Sequence, residues 1–148
     1  ISSNRIDGCE GTGILSYAPT GIDNLFLHIE DNSINNCQNM SSNAASAIDM
    51  EQYKNLLGFV TNNSCLDNLG TGVVIGSTLS APSVCLTLTG NSSNADFRLD
   101  NPIDGLFNLS PCNVNAVNSG TIYTSGDISL VQSCSNPTPC NSNNNLSM

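Results

Sequence analysis

The chain repeats one short pattern, an apolar-alternating strand followed by an Asn-Ser pair, at nearly constant intervals. Three segments, NLFLHIEDNS, NLLGFVTNNS and VCLTLTGNSS, contain pairs that begin at Asn32, Asn63 and Asn91, which are 31 and 28 residues apart. A second alternating stretch follows each pair, and these stretches begin at Ala47, Gly72 and Ala95. A matching stretch that begins at Gly13 precedes the first pair. Repetition of this kind is typical of solenoids, in which each coil buries its apolar face by stacking on its neighbours.

The alternation divides the side chains of each strand into two sets. Successive side chains of a strand point to opposite faces, so residues two apart share a face. We expect one set to fill the interior as stacked files, with Gly58 between Leu27 and Leu86. This interior set is Leu25, Leu27, Ile29, Leu56, Val60, Val84, Leu86 and Leu88. The opposite set predicts an outward contact column made of Phe26, His28, Phe59 and Thr87.

The Asn residues of the repeated pairs predict a ladder at one corner of the solenoid. Stacked Asn side chains exchange amide hydrogen bonds between successive coils. Asn also tolerates the left-handed backbone that a tight corner needs. We therefore expect Asn32, Asn63 and Asn91 to lie directly above one another.

These patterns predict an all-β chain folded as a right-handed parallel β-helix of four to six coils. Residues 1–131 would form this single domain, and residues 132–148 would be an Asn/Ser/Pro-rich tail. After Leu99 the sequence departs from the Asn-Ser pattern, although short strand-like segments continue. The best helical candidate is SAIDMEQYKNLL, Ser46 to Leu57, which would interrupt the second coil. The alternative fold is an antiparallel β-sandwich or jelly roll, because it also has many short strands separated by turns.

The charge of the chain excludes some partners. Three Lys and Arg residues stand against twelve acids, which gives a formal net charge of −9. Nucleic-acid binding needs clustered cations that displace counterions from phosphates, so nucleic acids and anionic membrane surfaces are excluded. No apolar run is long enough to cross a bilayer, so we expect no membrane insertion.

The cysteines predict disulfides rather than a metal site. The chain has seven Cys and one His and contains no C-x-x-C pair. The disulfide candidates are Cys9, Cys37, Cys65, Cys85, Cys112, Cys134 and Cys140. The odd number leaves one thiol free or joined to another chain. Disulfides are typical of oxidising compartments, so we expect an extracellular or cell-surface protein.

Candidate catalytic residues are few. Asp96, Arg98 and Asp100 share one strand face and form the one mixed-charge cluster, which a polysaccharide lyase or hydrolase would need, but a surface ion pair explains them more simply. His28 has no nucleophile motif around it. Asp96, Asp100 and Asp104 lack the spacing of known calcium loops. We therefore expect no enzymatic activity, no cofactor and no metal.

The motif L-x-L-x-x-N followed by a short G-x-x-I-like strand, over residues 13–130, resembles the right-handed parallel β-helix repeats of pectin-lyase-like folds. The abundance of Cys and Asn is similar to that of repetitive secreted or surface β-helix proteins of bacteria. This resemblance implies a fold and no function. We expect a non-enzymatic structural or adhesive protein that self-associates into an assembly or filament or contacts other surface proteins. A polysaccharide-active enzyme or glycan-binding module is the alternative, and a viral fibre segment is a third class.

Overall fold

The chain is almost entirely β-structure. The structure is a computed structural model that describes residues 1–17, 24–37, 46–51, 54–66, 68, 70–76, 82–101 and 105–140. Its elements are β1 (Arg5–Asp7), β2 (Ile14–Tyr17), β3 (Leu25–Glu30), β4 (Ser33–Asn35), β5 (Ile48–Glu51), β6 (Asn55–Thr61), β7 (Ser64–Leu66), β8 (Val73–Gly76), β9 (Ser83–Thr89), β10 (Ser92–Ser93), β11 (Phe97–Asp100), β12 (Leu106–Ser110), α1 (Val114–Val117), β13 (Ile122–Ser125) and β14 (Ile128–Leu130).

The strands stack into three parallel sheets that the chain visits in rotation. The first sheet has the order β1-β4-β7-β10, the second β2-β5-β8-β11-β13, and the third β3-β6-β9-β12-β14. Leu27 lies level with Gly58, and Gly58 with Leu86, as the expected register requires. The parallel β-helix, or β-solenoid, is thereby confirmed. The sandwich alternative fails because the paired strands of these sheets are parallel rather than antiparallel.

The solenoid is slightly shorter than expected. Three turns, β4–β6, β7–β9 and β10–β12, are covered by neighbouring turns on both sides. The strands β1–β3 form the turn before them, and a bridge between Ser92 and Ser119 leads into β13 and β14 after them. If only the turns with a neighbouring turn on each side are counted, the solenoid has three turns, which is fewer than the four to six coils that we expected.

The helix expected over Ser46–Leu57 is wrong. Residues Ile48–Glu51 form β5, which pairs in parallel with β2 and β8. Ile48 and Met50 are fully buried, while Asp49 lies on the outward face. A strand with a partner on both sides gains two sets of ladder hydrogen bonds and buries every second side chain. That gain outweighs the weak helical signal of acids preceding Lys54.

The interior consists of apolar files that run through the turns. One file of the third sheet contains Leu27, Gly58, Leu86, Leu109 and Leu130. The members of the expected interior set that the structure buries are Ile29, Leu56, Val60, Val84, Leu86 and Leu88, whereas Leu25 and Leu27 are half-buried. The half-buried pair lies on β3, which pairs with one full strand, β6. Stacking thus creates the core, because each file is covered only by the turns next to it.

Three disulfides and one free thiol account for the seven cysteines. The disulfides join Cys9 to Cys37, Cys85 to Cys134, and Cys112 to Cys140. They indicate an oxidising environment. Cys65 is the free cysteine and is buried in an interior file of the first sheet between Ile34 and Ser93. Burial raises the pKa of the Cys65 thiol to about 12, so this residue packs the core and is not a nucleophile.

Candidate functional site

An Asn ladder fixes the corner between the third and first sheets. The backbone N–H and the side-chain Nδ2 of Asn32 donate to Oδ1 of Asn63 at 3.1 and 2.9 Å. The same two groups of Asn63 donate to Oδ1 of Asn91 at 3.0 and 2.9 Å. The Nδ2 of Asn63 also donates to the carbonyl oxygen of Ile29 in the preceding turn at 3.0 Å. Each buried Asn therefore ties its own turn to the turns on both sides.

The left-handed backbone at this corner belongs to the residue before each of Asn32, Asn63 and Asn91. Asp31 has φ 55°, Asn62 has φ 56° and Gly90 has φ 68°. These conformations are sparsely populated by residues other than Gly, Asn and Asp. The sequence therefore places tolerant residues where the strain falls, one position earlier than we expected.

The ladder has two further members, Asn4 and Asn118, which the repeated Asn-Ser pattern did not predict. Asn4 donates from its backbone N–H and Nδ2 to Oδ1 of Asn32 at 3.0 and 2.9 Å. Asn118 accepts at Oδ1 from the same two groups of Asn91, both at 3.0 Å. Asn118 is followed by Ser119 and lies 27 residues after Asn91. The Asn-Ser pair therefore recurs beyond Leu99, and the expected departure from the pattern is wrong at this position.

The outward face of the third sheet carries the candidate contact surface, and we call the cluster Phe26, Leu57 and Phe59 the apolar patch. The structure places His28, Phe59 and Thr87 in one file and Phe26 beside them. The ring of Phe59 lies 5.7 Å from that of Phe26 and 5.6 Å from that of His28, centroid to centroid. Phe26 is 66% exposed and Leu57 is 37% exposed. The patch is therefore packed internally and still open to a partner.

A groove of about 360 Å³ extends from the apolar patch across the turns. Its lining includes Phe26, Leu57 and Cys85 together with the side chains of Asn24 and Asn55. Asn55 donates from Nδ2 to Oδ1 of Asn24 at 3.1 Å, which is a second, exposed amide contact between turns. The groove is thus bounded by neutral polar groups and contains no charged side chain among the described residues.

The C-terminal segment covers the other end of this face. The disulfide between Cys85 and Cys134 ties the segment to an outward position of β9. A further groove of about 340 Å³ lies between Phe59, Ser110 and residues 132–135 of this segment. Sequence reasoning placed Cys85 on the outward face but could not identify its partner. The chain itself therefore covers part of the expected contact column.

The face carries almost no charge. In the described strands of this sheet, Glu30 is the one outward residue with a carboxylate. Its Oε2 lies 3.2 Å from Nε2 of His28. The second sheet differs, because its outward positions include Asp49, Glu51 and Asp100. The described outward carboxylates of the second sheet therefore lie on a different face from the apolar patch.

The mixed-charge cluster lies on the second sheet. The Nε of Arg98 lies 2.8 Å from Oδ2 of Asp100, and the Arg98 side chain is largely exposed. Both residues line a groove of about 270 Å³ together with Asp96 and Tyr123. Asp104 lies outside the described residues. The arrangement is a surface ion pair beside an exposed aromatic ring, which can bind a polar ligand.

The fold displaces the titration of the Asp49 carboxyl group. It lies between Leu15 and Val74 in its file, and Oδ1 is buried without a hydrogen-bond donor among the described residues. Burial, and secondly the nearby charge of Glu51, raise its pKa from 3.8 to about 6. The folded state therefore binds a proton at Asp49 more tightly than the unfolded state does.

Replacing Asp49 with Asn is expected to remove one component of the pH dependence of stability. Between about pH 4 and 7 the unfolded chain loses the Asp49 proton first, so the free energy of unfolding falls as the pH rises. The loss is about 1 kcal/mol, because the half-exposed carboxylate is partly screened by water. Urea unfolding at several pH values measures it. The difference between wild type and Asp49→Asn should shrink towards pH 4; a constant difference contradicts the assignment.

Two further features, a metal site and a membrane-spanning helix, were considered for the described part of the chain. No group of three His, Cys, Asp or Glu residues there could hold a metal ion. The helix α1 has four residues, and no described helix is long and apolar enough to span a membrane. No protein-family model matches the chain, and no curated protein or solved structure shows significant similarity to it.

Proposed function

We propose that the protein is a non-enzymatic, extracellular structural or adhesive β-solenoid that acts through the apolar patch on its third sheet. The observation that carries this proposal is a nearly uncharged cluster, in which the exposed Phe26 and Leu57 lie beside the half-buried Phe59, on a chain of net charge −9. Exposed apolar clusters of this kind mark interaction surfaces.

The scaffold suits a mechanical role. Backbone ladders join every turn to its neighbours, and the buried Asn ladder adds side-chain hydrogen bonds through the same turns. The disulfide between Cys9 and Cys37 joins two successive turns covalently. Such a stack resists local opening, because no turn can separate without breaking contacts to both neighbours.

A second copy of the chain is the partner that the charge distribution favours. Two copies of a chain with twelve acids repel each other wherever carboxylates face one another. On the third sheet the one outward carboxylate of the described strands, Glu30, is paired with His28. Lateral contact through this face therefore buries apolar surface of both copies with little repulsion.

The double variant Phe26→Ser, Leu57→Ser is expected to weaken self-association by at least tenfold. Burial of each large apolar side chain is worth about 1.5–3 kcal/mol, and 1.4 kcal/mol corresponds to a factor of ten. Sedimentation velocity over a range of concentrations measures the association. The matched control is Leu15→Ser, Tyr17→Ser, which removes two similarly exposed side chains from the second sheet. Equal association of both variants, or a wild type that stays monomeric throughout, contradicts the proposal.

A glycan-binding or polysaccharide-cleaving role is the second candidate, and the groove beside Tyr123 favours it. That groove combines an aromatic ring with the hydrogen-bonding groups of Asp96, Arg98 and Asp100. Incubation with neutral and acidic polysaccharides, followed by an assay for new reducing or unsaturated ends, tests it. Turnover that Asp96→Ala or Asp100→Ala abolishes would replace the structural role with an enzymatic one.

A further inference from the structure

We propose that residues 131–140 are a covalently held cap on the last strand of the third sheet, and that this edge, once uncapped, pairs with the same edge of a second copy. The two parts of the proposal rest on the hydrogen bonds of β14 and on the positions of two disulfides. The inference is independent of the lateral contact proposed above, because it concerns the end of the solenoid and not its side.

The end of the cap, residues 138–140, runs antiparallel to Leu130 and to the two residues that continue β14. The bridge between Val131 and Pro139 is antiparallel, whereas β12 and β14 pair in parallel. The N–H of Cys140 donates to the carbonyl oxygen of Leu130 at 3.0 Å, and that of Gln132 donates to the carbonyl oxygen of Thr138 at 2.9 Å. The bond from Cys140 reaches β14 itself, at the edge where a further parallel coil would add, and the other contacts continue that edge beyond Leu130.

Two disulfides hold the cap in place. The bond between Cys112 and Cys140 fixes its last described residue to the loop before α1. The bond between Cys85 and Cys134 fixes its middle to the outward face of β9. Val131, at its base, is buried and donates its N–H to the carbonyl oxygen of Leu109 at 2.9 Å. The cap is therefore anchored on both sides of the edge that it covers.

An uncovered strand edge pairs readily with another chain. The strand β14 lies beneath the cap. Two of its side chains, Ile128 and Leu130, are half-buried and end apolar files of the interior. The cap shows that this edge accepts an antiparallel strand. Two copies of β14 related by a two-fold axis are antiparallel to each other, so each would satisfy the edge of the other and close the assembly at a dimer.

The test compares two variants that each lose one disulfide. Cys112→Ser with Cys140→Pro removes one tie of the cap and the N–H that bonds Leu130. The control, Cys9→Ser with Cys37→Ser, breaks a disulfide of the same sequence separation, 28 residues, at the other end of the stack. Both are made with Phe26→Ser and Leu57→Ser, so that lateral association does not contribute. Light scattering during size-exclusion chromatography gives the mass of each.

We expect the uncapped variant to dimerise at least tenfold more tightly than the control. Adding Ser129→Lys, which places a charge on β14, should return it to a monomer. An uncapped variant that remains monomeric with an unchanged circular dichroism spectrum overturns the proposal. Dimerisation of the control to the same extent also overturns it, since association would then follow from the loss of any disulfide. Open-ended oligomers overturn the two-fold pairing.

Discussion

Replacing Asn63 with Ala is expected to lower the free energy of unfolding by about 4 kcal/mol, because it leaves buried backbone groups of neighbouring turns without partners. Asn63 is 1% exposed. Its Oδ1 accepts from the backbone N–H and Nδ2 of Asn32, and its Nδ2 donates to the carbonyl oxygen of Ile29. The alanine methyl group can replace none of these contacts, and the surrounding apolar files exclude water that could do so.

Urea denaturation followed by circular dichroism measures the effect of Asn63→Ala. The matched control is Asn115→Ala, which changes an exposed Asn of α1 and should alter the stability by less than about 0.5 kcal/mol. The same small effect for both variants would show that the ladder contributes little. The ladder would then be a consequence of stacking rather than a cause of it.

The sequence predicts most of the ladder and misses its ends for a physical reason. The repeated pattern consists of an alternating strand directly before an Asn-Ser pair. Before Asn118 the chain instead forms α1, whose residue Val114 fills the interior in place of strand residues. Asn118 still reaches the ladder and also donates from Nδ2 to the carbonyl oxygen of Val114 at 2.7 Å. Asn4 is followed by Arg5, so it carries no pair at all.

The phase of the alternation shows which face Cys65 and Cys85 occupy, but it does not show which cysteines pair. Cys65 lies level with Ile34, an interior position, so its thiol is buried, and it is free of any disulfide. Cys85 lies between the buried residues Val84 and Leu86 and therefore points outward, where Cys134 reaches it. The partner depends on the path of the C-terminal segment over the third sheet. That path is a tertiary property, which period-two patterns do not encode.

The acidic second sheet shows the same limit. Alternation places Asp49 on an outward face, which predicts an ordinary solvated carboxyl group. The raised pKa arises because Leu15 and Val74 flank it in the file, and these neighbours come from turns far away in sequence. Once the strand is known, alternation gives the face on which Asp49 lies. Its electrostatic environment depends on the register between turns, which must be known to one residue.

Replacing Leu86 with Ala is expected to lower the free energy of unfolding by about 4 kcal/mol, because the cavity it leaves cannot collapse. Leu86 is fully buried between Gly58 and Leu109 in one interior file. A Cβ atom on Gly58 would lie 3.0 Å from Cδ1 of Leu86, so the leucine fills the space that the glycine leaves. Parallel pairing on both sides fixes the backbones and prevents them from closing the gap.

A double-mutant cycle tests this complementarity. Gly58→Ala alone should destabilise the protein by about 1 kcal/mol, because the new methyl group crowds Leu86. In the Leu86→Ala background the same change should instead raise the stability, since the methyl group then occupies part of the cavity. The exposed Leu106, changed to Ala, serves as the control and should cost less than about 0.5 kcal/mol. Additive effects of Gly58→Ala and Leu86→Ala would show that the two residues do not share one interior space, and the register that places them together would be wrong.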